Sequence, residues 1–166
     1  FLDGGLHLDS KTEQMCAIMP NYGIAYDPND PKVTGECVGG SYSKNKISIL
    51  RNAGWDGMLV TDWMILEAIA HGVKNLTVPE RLAKLMENSI SQHGGSFNPE
   101  YCAETFEIMK KDMGEEAALT QLQENCRRTF EVMVKVDLFD QPYSDRDYAK
   151  AILESETAAA FGIEAA

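Results

Sequence analysis

Hydrophobic residues form short unbroken runs near the start and the middle of the chain. Segments 15–19 and 57–61 are apolar without alternation, which is typical of parallel strands buried on both faces. Segment 73–78 is predicted as a third strand. Because helical patterns separate these strands, the order strand, helix, strand, helix, strand predicts an α/β fold.

Helix signals lie between the predicted strands. Ser43 is a suitable cap for a helix that carries Ile47 and Leu50 on one face and ends at Gly54. Apolar residues within 65–69 predict a second, short helix that stops before the third strand. Both helices would connect neighbouring parallel strands.

A longer helical region follows Pro79, a residue that suits the first turn of a helix. Apolar residues spaced three and four apart predict amphipathic packing helices over 79–93, 98–113 and 119–136. Ser144 and Asp147 offer a capping box for a last helix. The chain is therefore expected to end in additional C-terminal helices.

Charge and composition narrow the possible partners. The 166 residues contain 26 acidic and 15 basic side chains, a net charge of -11, which disfavours nucleic acid and anionic membranes as partners. The chain contains no apolar run of about 18 residues, so we expect no transmembrane helix. The four cysteines are widely spaced and predict free thiols without a metal site, in a cytoplasmic or a periplasmic protein. We expect no cofactor.

Candidate chemistry lies where the first two predicted strands end. Asp62 and Trp63 follow the second strand, and Tyr22 follows the first. The carboxyl ends of parallel strands share one edge, where a carboxylate, a phenol and an indole would suit a sugar site. Taken alone, an aspartate at a strand end is also a common turn former or helix cap, and its position does not decide between the two.

Five segments, in order, resemble glycoside hydrolase family 3. Residues 49–63, ILRNAGWDGMLVTDW, are similar to the nucleophile region of that family, L-R-x-x-x-G-F-D-G-x-V-x-S-D-W. Residues 18–22 (IMPNY) resemble its M-P-x-Y segment, and residues 70–79 (AHGVKNLTVP) resemble A-G-x-D-x-x-M-P. Residues 125–128 (NCRR) and 136–143 (VDLFDQPY) are similar to its A-x-R-R-I-L helix and G-L-F-D-x-P-Y exit.

The resemblance implies a partial (β/α)8 TIM barrel: the last three or so strands with their helices, plus additional C-terminal helices. Residues 1–140 would be the C-terminal part of a family 3-like catalytic domain, and residues 141–166 the start of an interdomain linker. A chain that begins at Phe1 is expected to be a piece of a longer protein.

The resemblance also implies roles for single residues. Asp62 would be the catalytic nucleophile of a retaining β-glycosidase, and Trp63, Tyr22 and, more weakly, Met19 would line the substrate pocket. The expected partners are a carbohydrate substrate and the remainder of the enzyme, in cis or in trans. No residue of this chain matches the general acid/base of the family.

Departures from the family pattern keep a second hypothesis open. Gly23, Asn75 and Val78 stand where the family usually has Asn, Asp and Met. Together with the missing acid/base, they are compatible with a non-catalytic, family 3-like piece that serves assembly or carbohydrate binding. A third hypothesis, an unrelated α/β domain with a chance Thr-Asp-Trp, would require all five ordered matches to be coincidental.

Overall fold

A computed structural model of the chain describes residues 15–165. Its strands are β1 (Ala17–Ile18), β2 (Met58–Trp63) and β3 (Gln92–Gly94). Its helices are α1 (Pro31–Thr34), α2 (Lys44–Asn52), α3 (Val78–Glu87), α4 (Glu100–Met113), α5 (Glu115–Lys135), α6 (Arg146–Leu153) and α7 (Glu156–Ala165), with a 3-10 turn at Gly40–Tyr42. Of the helices within 15–165, none combines the length and the apolar character needed to cross a membrane. The chain divides into two compact units, of which the first ends at Val132 and the second begins at Met133.

The three strands form a parallel sheet with β2 in the centre. Ala17 pairs with Met58 on one side of β2, and Val60 pairs with Gln92 on the other. The predicted strands at 15–19 and 57–61 are thus confirmed, although β1 is shorter and β2 extends through Asp62 and Trp63. Parallel strands with intervening helices are compatible with the predicted α/β fold.

The third strand was predicted in the wrong place. Residues 73–77 form turns and a helix cap, and α3 begins at Val78. Thr77 accepts a hydrogen bond from the Glu80 backbone N–H, while the Glu80 carboxylate accepts one from the Thr77 N–H at 2.7 Å. This capping box commits the segment to a helix start. The strand lies at Gln92–Gly94 instead, a polar stretch without an apolar run.

The predicted short helix at 65–69 is also wrong, because buried side chains take the backbone carbonyls that a helix would use. Tyr42 donates its hydroxyl to the Ile65 carbonyl at 3.1 Å. Buried Arg81 donates to the carbonyls of Leu66 at 2.7 Å and Val73 at 3.2 Å. The segment after β2 is therefore a turn-rich loop fixed to the helical layer.

One hydrophobic core joins β2 to the helices of the first unit. Leu59 of β2, Leu85 of α3 and Met109 of α4 are fully buried and belong to the same cluster. A fully buried side chain of this size contributes roughly 2 kcal/mol. The predicted helices α3, α4 and α5 are thus confirmed as packing helices, except that α3 ends at Glu87 and residues 92 and 93, which were predicted as helix, belong to β3. The four cysteines are free, as predicted, and exposed.

In the second unit, the cap of the last predicted helix lies one residue later than proposed. Asp145, not Ser144, caps α6, and its Oδ1 accepts a hydrogen bond from the Tyr148 N–H at 2.9 Å. The predicted boundary between a catalytic domain that ends at residue 140 and a linker that starts at residue 141 stays a prediction.

Candidate functional site

The predicted site residues lie at the carboxyl ends of β1 and β2. Asp62 and Trp63 are the last two residues of β2, Met19 directly follows β1, and Tyr22 lies three residues further along. We call Met19, Tyr22, Asp62 and Trp63 the candidate site. Because β1 and β2 are parallel neighbours, their ends place these residues on one edge of the sheet.

An irregularity in the pairing of β2 with β3 determines how Asp62 is presented. From the pair Val60–Gln92 to the pair Trp63–Gly94, β2 advances three residues while β3 advances two, as in a β-bulge. Thr61 fixes this geometry, since its hydroxyl accepts a hydrogen bond from the Gly94 N–H and donates one to the Asp62 carbonyl, both at 2.9 Å. A Cβ atom on Gly94 would lie 2.9 Å from the same carbonyl, so the close approach requires glycine.

The Asp62 carboxylate is exposed at this edge and held by one oxygen. Its Oδ1 accepts a hydrogen bond from the Trp63 N–H at 2.8 Å. No donor among residues 15–165 forms a hydrogen bond with the other carboxylate oxygen, Oδ2. One oxygen is therefore oriented by the backbone and the other is open to a ligand, an arrangement that suits a nucleophile or an acceptor for a sugar hydroxyl.

Tyr22 contacts Asp62 directly. Its phenolic oxygen accepts a hydrogen bond from the Asp62 backbone N–H. Partial burial, supported by the negative charge of Asp62, raises the pKa of Tyr22 above its ordinary value. The phenol consequently keeps its proton at neutral pH and, with its oxygen already accepting, has that proton available for a neighbouring acceptor.

His71 also contacts Tyr22, a role that the sequence did not reveal. Its Nδ1 lies 3.0 Å from the Tyr22 carbonyl oxygen, and the two rings are tilted by 50° with centroids 5.4 Å apart. His71 also accepts a hydrogen bond from the Gly39 N–H at 2.9 Å through its own carbonyl. No pattern of spacing connects residues 22, 39 and 71.

Trp63 and Met19 present apolar surface at the same edge. Trp63 is 77% exposed and Met19 is 56% exposed. A Cβ atom on Gly95 would lie 3.0 Å from the Trp63 ring, so the indole lies against the chain that follows β3. The structure thus brings Tyr22 against Asp62 and leaves the two apolar side chains open to a ligand.

The remaining motif residues lie at the opposite, amino end of β2. Arg51 donates from Nη1 to the carbonyls of Trp55 at 3.1 Å and Gly57 at 2.9 Å, and its guanidinium lies over the Trp55 ring. The Trp55 indole donates to the Met15 carbonyl at 2.6 Å. These contacts hold in place the segment that leads into β2. They stabilise the fold and lie outside the candidate site.

Asp56 connects that entry to α5. It receives charge-assisted hydrogen bonds from Arg127 at 2.5 Å and Arg128 at 2.8 Å. Partial burial acts to raise the pKa of Asp56, but the hydrogen bonds from Arg128 and Arg127 outweigh it and hold that pKa below its ordinary value. The two arginines of residues 125–128 therefore stabilise the far end of the sheet from Asp62.

Sequence comparison relates the chain to glycoside hydrolases. No family profile matches it. It is similar to a protein named probable beta-glucosidase C from Aspergillus oryzae, with 28% identity over an alignment of 166 positions that covers 89% of this chain. A protein of the same name from Aspergillus flavus is 27% identical over 164 positions, again 89% of this chain. The chain spans 23% and 24%, respectively, of the length of these relatives.

Proposed function

We propose that this chain is the C-terminal part of the catalytic barrel of a retaining β-glycosidase of glycoside hydrolase family 3. Asp62 is the nucleophile, and Trp63, Tyr22 and Met19 line the pocket for a terminal β-linked sugar. The observation that carries the proposal is the exposed carboxylate at the carboxyl end of the central parallel strand, with one oxygen held by the Trp63 N–H. Reactive groups of parallel barrels lie at that end of the strands.

In the proposed reaction, Asp62 Oδ2 attacks the anomeric carbon and forms a glycosyl-enzyme ester while the bond to the leaving oxygen breaks. That oxygen takes a proton from a general acid outside this chain. A water molecule then attacks the same carbon, gives a proton to the resulting base, and releases the sugar and the Asp62 carboxylate.

The rest of the enzyme, in cis or in trans, is an expected partner. Both outer strands of the sheet, β1 and β3, pair with β2 alone among the described strands. An eight-stranded barrel requires further strands at those edges. The similarity to proteins about four times as long is compatible with such a completion.

Covalent labelling tests the proposal on the complete enzyme. An activated 2-deoxy-2-fluoro-β-glucoside should attach to Asp62, as read by peptide mapping. Asp62→Ala should abolish turnover, and added azide or formate should restore part of it by entering the vacated space. Asp140→Asn, a change at an exposed aspartate of the second unit, is the matched control. Labelling of another residue, or full turnover by Asp62→Ala, would contradict the assignment.

A non-catalytic, sugar-binding or assembly role is the second candidate. A retaining site needs two carboxyl groups about 5–5.5 Å apart, and the candidate site contains one, Asp62. Calorimetry with simple sugars, combined with a hydrolysis assay on the same preparation, distinguishes the two functions. Sugar binding without turnover would favour the second.

A further inference from the structure

Three separate segments of the first unit meet at the backbone of Tyr22. Tyr22 follows β1, Gly39 precedes the 3-10 turn, and His71 lies in the turn-rich loop after β2. The Gly39 N–H donates to the His71 carbonyl at 2.9 Å, and Nδ1 of the His71 ring lies 3.0 Å from the Tyr22 carbonyl oxygen. The loop after β2 is therefore joined to the loop after β1 through His71.

Two glycines allow this close approach. A Cβ atom on Gly39 would lie 2.9 Å from the Tyr22 carbonyl oxygen and 3.0 Å from the His71 Cβ atom. A Cβ atom on Gly72, which has a φ of 77°, would collide with the Cys37 carbonyl oxygen. Glycine at these positions leaves room for the His71 ring to reach Tyr22.

His71 itself has an unusual backbone conformation. Its φ is 65°, in the left-handed region that residues other than glycine and asparagine rarely adopt. Such a conformation persists where the surrounding contacts over-determine it, and functional sites are enriched in it. Because glycine or asparagine would suit the backbone better, the backbone alone gives no reason for histidine at this position.

The imidazole contacts Tyr22 in two ways. A carbonyl oxygen can only accept, so Nδ1 of His71 carries the ring proton and donates it to the Tyr22 carbonyl. The two rings, tilted by 50° with centroids 5.4 Å apart, are within the range of an attractive aromatic contact. His71 thus holds both the backbone and the ring of the residue whose phenolic oxygen accepts the Asp62 N–H.

We propose that His71 is a positioning residue for the glycosidase reaction: it holds Tyr22 in place, and through Tyr22 it orients Asp62. The proposal rests on the proposed function, in which Asp62 is the nucleophile. The whole effect of His71 on the reaction passes through the phenol of Tyr22. Removal of the imidazole should therefore loosen the contact between Tyr22 and Asp62 while every group of the candidate site remains present.

Kinetics of the complete enzyme test this role. His71→Gly removes the ring and leaves the left-handed backbone accessible, so kcat/KM for phenyl β-D-glucoside should fall about two- to fivefold, roughly the value of one neutral hydrogen bond. His71→Asn tolerates a positive φ, and its amide can donate from the position of Nδ1, so it should recover most of that loss. Lys74→Ala, at an exposed position in the same loop, is the control and should match the wild type.

Combination with Tyr22→Phe distinguishes positioning from a general structural role. If His71 acts through the Tyr22 hydroxyl, His71→Gly should lower kcat/KM by less than about 1.5-fold further in the Tyr22→Phe background. Losses that multiply in the double variant, equal losses in His71→Asn and His71→Gly, or no loss in His71→Gly would each overturn the proposal.

Hydrogen exchange provides a readout that does not need turnover. Exchange of the Asp62 amide, which donates to Tyr22, should be at least about twofold faster in His71→Gly and close to the wild type in His71→Asn. The Met58 amide of the same strand donates to the Cys16 carbonyl at 2.9 Å and should keep its rate. Unchanged exchange at Asp62, or equal acceleration at both amides, would overturn the proposal. If Asp62 responds as expected but the wild type hydrolyses no β-glucoside, the proposed function fails while the positioning of Asp62 by His71 stands.

Discussion

The backbone N–H of Asp62 donates a hydrogen bond to the phenolic oxygen of Tyr22, 40 residues earlier in the chain. The contact joins the carboxyl ends of β1 and β2 and leaves the phenolic proton free to point toward a ligand. The His71 ring also contacts the Tyr22 backbone, through the Tyr22 carbonyl. The position of the proposed nucleophile therefore depends on a neighbouring strand as well as on its own.

Tyr22→Phe removes the acceptor for the Asp62 N–H without changing the shape of the side chain. A neutral hydrogen bond contributes about 0.5–1.5 kcal/mol, so we expect kcat/KM of the complete enzyme to fall about three- to tenfold. Steady-state kinetics with an aryl β-glucoside measure this. Tyr26→Phe, in the same loop, is the control and should match the wild type. Unchanged kinetics in Tyr22→Phe would remove Tyr22 from the site.

Gly94→Ala tests the close approach that presents Asp62. The added methyl group would lie 2.9 Å from the Asp62 carbonyl and 3.0 Å from the Thr61 carbonyl, so β3 must move away from β2. We expect the free energy of unfolding to fall by about 1–3 kcal/mol, with a loss of activity. Chemical denaturation measures the change. Gly162→Ala, where a Cβ atom meets nothing within 4 Å in helix α7, should be neutral or stabilising.

Asp56→Asn tests the ion pairs at the amino end of β2. We expect a loss of about 1 kcal/mol in the free energy of unfolding at pH 7, a small value because Asp56 is half exposed. Its pKa is lowered in the folded state, so the stabilisation is present above the unfolded pKa and is lost as the pH falls through the folded pKa. The difference in stability between the two proteins should therefore begin to shrink as the pH falls below about 4 and should vanish only below the lowered folded pKa.

The control for Asp56→Asn is Glu107→Gln, which breaks an exposed pair with Lys110 and should change stability by less than about 0.5 kcal/mol. The activity of Asp56→Asn should equal that of the wild type under conditions where both are folded. A selective loss of activity would mean that the amino end of the sheet participates in the site.

Tyr42 makes the stability of the first unit sensitive to alkaline pH. Burial raises the pKa of Tyr42 from 10.0 to about 12. The folded protein thus holds this proton more tightly than the unfolded chain, and the free energy of unfolding falls as the pH rises from about 10 to about 12. Tyr42→Phe should reduce that fall by roughly 2 to 3 kcal/mol, as read from denaturation midpoints. Tyr143→Phe, at a 90% exposed position, should leave the slope unchanged.

The local hydrophobic patterns predicted correctly those elements whose apolar residues also form the packed core. The apolar run before Asp62 forms β2, and the helical spacing after Pro79 forms α3, α4 and α5. The third strand was predicted in the wrong place because Val73, Leu76 and Val78 are apolar for a different reason. They pack into or against the hydrophobic core from turns and from the start of a helix. The sequence Thr77-x-x-Glu80 was the available signal for that start.

The candidate site could be predicted only in part. The strand-end position of Asp62 and Trp63 follows from one continuous segment. The contacts of Tyr22 with Asp62, of His71 with Tyr22 and of Asp56 with Arg127 join residues 40, 49 and 71 positions apart. Long-range contacts of this kind depend on the packing of the whole unit and leave no local periodicity.

Strand β2 has one extra residue opposite β3. The orientation of Asp62 therefore depends on how many residues precede it in the strand as much as on which residues they are. Side chains alternate between the two faces of a strand, so deleting a single residue between Val60 and Trp63 would turn the aspartate to the other face of the sheet. Substitutions in this stretch could be repaired by neighbouring changes, whereas an insertion or deletion could not. Among chains that share this strand and its pairing, length variation should therefore be confined to the loops that flank the strand.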